Sequence, residues 1–144
     1  MKVKIREIAR SGMDYDDQAT PAELDLLEDY IDAESPVLVS GRLQRVDAFI
    51  LAKLRVAYSV DTICARCLDP INAEKTMDVE LEMGFNPGDE FVDLGSYIRE
   101  ELLIDRRPRM LCREDCRGIC PGCGAYLNEE ACECDQRIKE QGNA

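Results

Sequence analysis

A chain of 144 residues is long enough for one domain, or for one domain with a small appended module. Its 45% apolar content excludes wholesale disorder, and no apolar run approaches the ~20 residues that cross a bilayer. A net charge of −12 with no histidine repels phosphate at long range, which argues against DNA as a partner and for a basic protein. Basic residues open the chain (Lys2, Lys4, Arg6) with no apolar stretch behind them. No secretory signal is expected, and the protein is placed in the cytoplasm.

In chain order, Val3 and Ile5 alternate with charged neighbours and predict a short strand over residues 2–9. Residues 10–19 are polar and acidic and read as a loop. Thr20, Pro21 and Glu23 make a capping box ahead of Leu24, Leu27 and Ile31, which predicts a helix over 21–33 stopped by Pro36. From Val37 to Phe85 the apolar residues recur with period two, most clearly at Ile50, Ala52, Leu54, Val56, Tyr58 and Val60, and again at Val79, Leu81 and Met83. That pattern predicts antiparallel strands with one buried and one wet face, Glu74, Glu80 and Glu82 lying on the wet one. A loop at 61–70 separates the last two strands. Asn86-Pro87-Gly88-Asp89 is a turn, and Leu94, Ile98 and Leu102 mark a helix of about 94–104 that Pro108 ends. Residues 112–134 are short and poor in apolar side chains, so a metal must supply their folding free energy. The tail, 135–144, is polar.

Eight cysteines carry the chemistry: Cys64-x2-Cys67, Cys112-x3-Cys116-x3-Cys120-x2-Cys123 and Cys132-x-Cys134. In a reducing compartment such pairs suit thiolate metal sites rather than disulfides. Cys120-Pro-Gly-Cys123 is a zinc-knuckle turn in which Gly122 and Gly124 allow a tight backbone, and Cys132 and Cys134 can close its tetrahedron. Cys64-Ala-Arg-Cys67 is a second knuckle. It needs two more ligands, and Cys112 and Cys116 are the remaining pair. Two zinc ions per chain follow from this count. An iron–sulfur cluster also accepts four thiolates, and a Cys-x2-Cys can be a redox dithiol, although the βαβ setting of a redox dithiol is absent. Catalytic zinc keeps an open position and usually mixes in histidine, which this chain lacks. No enzyme activity is expected.

Arg106, Arg107, Arg109, Arg113 and Arg117 run against the global charge. They are candidate RNA contacts through phosphate, or they compensate thiolate charge at the metal. Arg66, inside the first knuckle, poses the same choice.

The segments Cys64-Ala-Arg-Cys-Leu and Cys112-Arg-Glu-Asp-Cys-Arg-Gly-Ile-Cys-Pro-Gly-Cys-Gly-Ala-Tyr-Leu-Asn, closing on Cys132-Glu-Cys134, resemble the YceD family, named for large ribosomal RNA subunit accumulation. The likeness includes Glu100-Glu-Leu-Leu103. Ile119 stands where Leu is commoner, a swap of similar volume. The resemblance implies a bacterial or plastid factor that supports large-subunit rRNA, with frequent genetic linkage to a small zinc-containing protein of the large ribosomal subunit. It also implies that the first site defines the fold, because some members lack the last knuckle.

The reading is an α+β protein: an antiparallel β-sheet domain with two helices over 1–111, a Cys-rich zinc module over 112–134, and a polar tail. It acts as a non-catalytic accessory factor in ribosome biogenesis. A basic large-subunit ribosomal protein is the expected partner, and rRNA or a pre-ribosomal particle a further one. A zinc-ribbon adaptor for transcription and a thiol redox protein are the alternatives.

Overall fold

Apolar alternation builds the three long strands that carry the fold. In the computed structural model, which describes residues 1–26, 30–105, 109–132 and 134, they run Val37–Val46, Phe49–Ile63 and Pro70–Gly84. In chain order the elements are β1 (Lys2–Lys4), a 3-10 turn (Ile5–Glu7), β2 (Met13–Ala19), then β3, β4 and β5 as just given, β6 (Phe91–Asp93) and α1 (Leu94–Ile104). The four-stranded sheet has the order β2-β3-β4-β5, and β1 pairs with β6 in a second, two-stranded sheet. Strands β1 and β6, β2 and β3, and β3 and β4 pair antiparallel. Exposed ion pairs Lys53–Glu80 (3.1 Å) and Arg55–Asp78 (2.9 Å) bridge β4 and β5.

The inward residues of β4, from Ile50 to Val60, are buried, as are Val37, Val39 and Leu43 of β3 and Val79, Leu81 and Met83 of β5. Leu94, Ile98 and Leu102 lie one turn apart along α1 and are buried too. Asp105, just past α1, accepts hydrogen bonds from Tyr58 (2.7 Å) and Lys75 (3.0 Å), and Tyr30 Oη donates to the Leu102 carbonyl (3.0 Å). These bonds hold the helix end to β4, to β5 and to residue 30.

Gly41 is fixed by contact. It faces Leu54 in the β3–β4 pairing with φ +153°, and a Cβ there would lie 2.1 Å from the Lys53 carbonyl oxygen. Backbone cannot yield to that side chain cheaply. Gly41→Ala is expected to cost about 3 kcal/mol, read as a lower urea midpoint with unchanged slope.

Three expectations need correction. The strand expected over 2–9 spans only Lys2–Lys4, because the chain turns into a 3-10 helix at Ile5–Glu7. A loop was expected over 10–19, but Met13–Ala19 pairs with β3 along its whole length. Its acidic residues hide the alternation because the strand is at a sheet edge, where both faces reach water. A helix was expected over 21–33. The capping box does form, with Thr20 N–H donating to Glu23 (2.7 Å) and Glu23 N–H to Thr20 Oγ1 (3.2 Å). One turn follows, and then Asp25 adopts φ +52° and breaks it. Ile31 instead bridges Val60, with Asp32 N–H donating to Ser59 O and Asp61 N–H to Tyr30 O. Strand-like pairing to β4 thus outweighs local helix propensity. Leu27, Glu28 and Asp29 lie outside the described residues, which contain one α-helix, not two. The helix expected over 94–104 is α1. The tail expected over 135–144 and Pro108 also lie outside them.

The chain forms two compact units, Met1–Asp61 with Asn72–Arg107, and Thr62–Ile71 with Pro108–Ala144. The first holds the sheet core. The Cys64-x2-Cys67 loop, which a boundary at 111 leaves with the sheet, falls in the second. Among the described residues no helix is long and apolar enough to cross a membrane.

Candidate metal centre

The second unit is organised around sulfur. Cys64 and Cys67 sit on the tight loop between β4 and β5, where Leu68 N–H donates to Cys64 O (3.0 Å). Ala65 N–H donates to Met110 O (2.9 Å), which brings the stretch after α1 alongside that loop. Cys112 and Cys116 follow on this stretch. All four sulfurs lie within 4.8 Å of one another, with Cys64–Cys116 at 3.7 Å and Cys67–Cys112 at 3.5 Å. Cys64, Cys67 and Cys116 are buried with Ile71, Leu111 and Tyr126 packed around them.

Cys120, Cys123, Cys132 and Cys134 make a second group with the same 4.8 Å limit. Cys132 lies 3.2 Å from Cys120 and 3.4 Å from Cys123. This group is wetter: Cys120 alone is buried, and Cys123 is exposed. All eight cysteines are unbridged. Four sulfurs at about 2.3 Å from a central ion stand about 3.8 Å apart in a regular tetrahedron. The observed spacings are close to that, so each group fits a tetrathiolate ion with small adjustments.

The surroundings stabilise thiolate. Backbone N–H groups of Arg66 (3.5 Å) and Cys112 (3.4 Å) point at Cys64 Sγ, the Cys134 N–H at Cys132 Sγ (3.2 Å), and the Asn128 amide donates to Cys116 Sγ (3.4 Å). Burial opposes ionisation of Cys64, but the N–H groups of Cys67, Cys112 and Arg66 outweigh it and bring the thiol down to about 6. Donation from Cys123 N–H, the Cys132 thiol and Gly122 N–H brings Cys120 down to about 6 as well. The last thiols move the other way. Cys112 is exposed as a residue, yet its sulfur lies against three others. Loss of water around it, then the thiols of Cys67 and Cys116, push it up to about 12. Neighbouring Cys132 and Cys123 push Cys134 up to about 12. Four sulfurs this close cannot all ionise against their mutual repulsion unless a cation sits among them. The two clusters can therefore each hold a metal ion.

Arg66 Nη1 donates to the Cys116 carbonyl (2.8 Å), clamping one knuckle to the other segment. Gly118, at φ +76°, lets the chain pass close to Arg66, whose carbonyl would lie 2.8 Å from any Cβ. Arg113 is exposed and ion-paired with Asp115 (3.3 Å); Arg109 and Arg117 are exposed. Arg106 and Arg107 lie outside the described residues. Tyr126, which hydrogen-bonds Asp69, and Asn128 are site residues that cysteine spacing does not reveal. The only hint is their place just after the second knuckle, in Ala-Tyr-Leu-Asn128.

Residues 52–141 match the family described as large ribosomal RNA subunit accumulation protein YceD, and the chain belongs to that family. Over 66 residues it is 30% identical to a chloroplastic large ribosomal RNA subunit accumulation protein, YCED homolog 1, of Arabidopsis thaliana. The aligned part is 46% of this chain and 21% of the plant protein, so the chain spans about a fifth of that relative's length. No solved structure matches.

Proposed function

We propose that this YceD-family chain is a non-catalytic accessory factor for accumulation of large-subunit rRNA, with two zinc ions as structural staples and recognition as its mode of action. The observation that carries this reading is the pair of four-cysteine clusters inside the segment that matches the family. A closed set of four thiolates with no histidine in the chain suits structural zinc better than an open catalytic site. The site of action is the cytoplasm, or the stroma in a plastid. Large-subunit rRNA or its precursor particle is the assembly served.

Recognition of a basic ribosomal protein is favoured by the open face of the four-stranded sheet. Asp14, Asp16, Glu74, Asp78, Glu80 and Glu82 stand there against Arg42, Lys53 and Arg55. Arg42 pairs with Asp14, Lys53 with Glu80 and Arg55 with Asp78, which leaves the face acidic through the remaining carboxylates. Glu74 and Glu82 are therefore the informative positions, since Glu80 is neutralised by its neighbour.

The test is genetic. Deleting the gene is expected to lower the ratio of large- to small-subunit rRNA, the intact chain to restore it, and Glu74→Lys with Glu82→Lys to restore it poorly while the protein stays folded. Binding of that variant to large-subunit proteins should fall most at low salt, since exposed charges are screened over about 10 Å at 0.1 M. An unchanged rRNA ratio on deletion would refute the function. Full rescue by the charge-reversed variant would refute the surface and favour the exposed arginines Arg109, Arg113 and Arg117 on RNA.

A further inference from the structure

The two clusters share one hairpin. Leu127 N–H donates to Gly118 O (2.9 Å), Cys120 N–H to Ala125 O (2.9 Å), and Ile119 bridges Tyr126, so residues 118–127 fold back on themselves. Cys120 and Cys123 sit at its tip, in the second cluster. Its base meets the first cluster. There the Asn128 carboxamide makes two bonds at once: its oxygen accepts from Arg117 N–H (2.8 Å) and its NH2 donates to Cys116 Sγ (3.4 Å). Arg117 fixes which way the planar amide faces, so the donor is held on the sulfur. Ile119 N–H also donates to Arg66 O (3.1 Å), inside the first knuckle. The element that presents two ligands to one ion thus presents a hydrogen-bond donor to a ligand of the other.

We infer that Asn128 is a positioning residue that couples the two metal sites: filling the second site fixes the hairpin, and the hairpin holds the Asn128 amide on Cys116 and strengthens the first site. This rests on the reading that the chain binds two metal ions. Donors to ligating atoms typically govern 10- to 100-fold in metal affinity. By linkage the coupling is reciprocal, so filling the first site strengthens the second by the same factor. Metal loading is then positively coupled, each filled site raising the affinity of the other.

The test is competition of the metal-free full chain against a chromophoric zinc chelator. Asn128→Asp keeps the oxygen that accepts from Arg117 and turns the donor on Cys116 into a second carboxylate oxygen. It is expected to weaken first-site binding about 10- to 100-fold, while both sites still fill at saturating zinc. Asn128→Ala, which removes both bonds, should do the same and covers the case in which the added charge itself disturbs folding. Cys134→Ser, which opens the second site, should weaken the first by a similar factor. Adding Asn128→Asp to Cys134→Ser should cost little more, because both act through one bond. Wild-type first-site affinity in both Asn128 variants, or losses that simply add in the double variant, would overturn the coupling. Fewer than two zinc ions bound by the wild-type chain would overturn the reading beneath it.

Discussion

Cys67→Ser is expected to empty the first cluster and free both segments that it holds, the β4–β5 loop and the stretch from 109 onward. A structural zinc site supplies roughly 10–16 kcal/mol of apparent binding free energy at neutral pH, comparable with the whole ~5–15 kcal/mol that keeps a typical domain folded. Among its described residues the second unit has little else to fold around, since those that are buried are mainly the cysteines themselves. The sheet unit has its own core, with Leu43, Ile50, Val56, Met83, Ile98 and Leu102 fully buried. Thermal unfolding of Cys67→Ser should therefore show loss of the second unit's transition with that of the sheet kept. Cys134→Ser should be milder, disordering the region from about 117 on. Equal effects of the two substitutions would contradict the division of labour.

Metal removal is the second large effect. Excess strong chelator is expected to strip the second cluster first, because Cys123 is exposed and Cys132 and Cys134 are partly so, whereas three ligands of the first are buried. Amide hydrogen exchange should then lose protection first over 117–132 and later at Ala65 and around Cys112–Cys116. Protection in β3 and β4 should persist throughout. Returning zinc should restore both regions. Simultaneous loss across sheet and clusters would mean that the sheet, too, depends on the metal.

Much of this was readable in the sequence, for physical reasons that differ by element. The strands β3 to β5 announce themselves because one face is buried and the other wet, and α1 because Leu94, Ile98 and Leu102 share a stripe. The cysteines group into fours because a tight knuckle delivers two thiolates at a time and eight make two sets. The segment 21–33 misleads because its start signal is genuine, and the capping bonds are made. What ends the helix is distant in sequence: pairing of residues 30–32 with 59–61 of β4. β2 hides behind Asp14, Asp16 and Asp17, an acidic run that reads as a loop until its partner β3 is known. Asn128 and Tyr126 are invisible for a similar reason, since their roles arise only when the hairpin sets them beside Cys116 and Asp69.

Native mass spectrometry of the full chain, purified without chelator, tests the central claim most directly. The mass of the folded protein should exceed that of the acid-denatured chain by two zinc ions, less the protons that the thiolates give up. Two zinc ions, lost together with the fold of the second unit, are the expected result. A single ion, iron with inorganic sulfide, or a folded second unit with no metal would contradict the account.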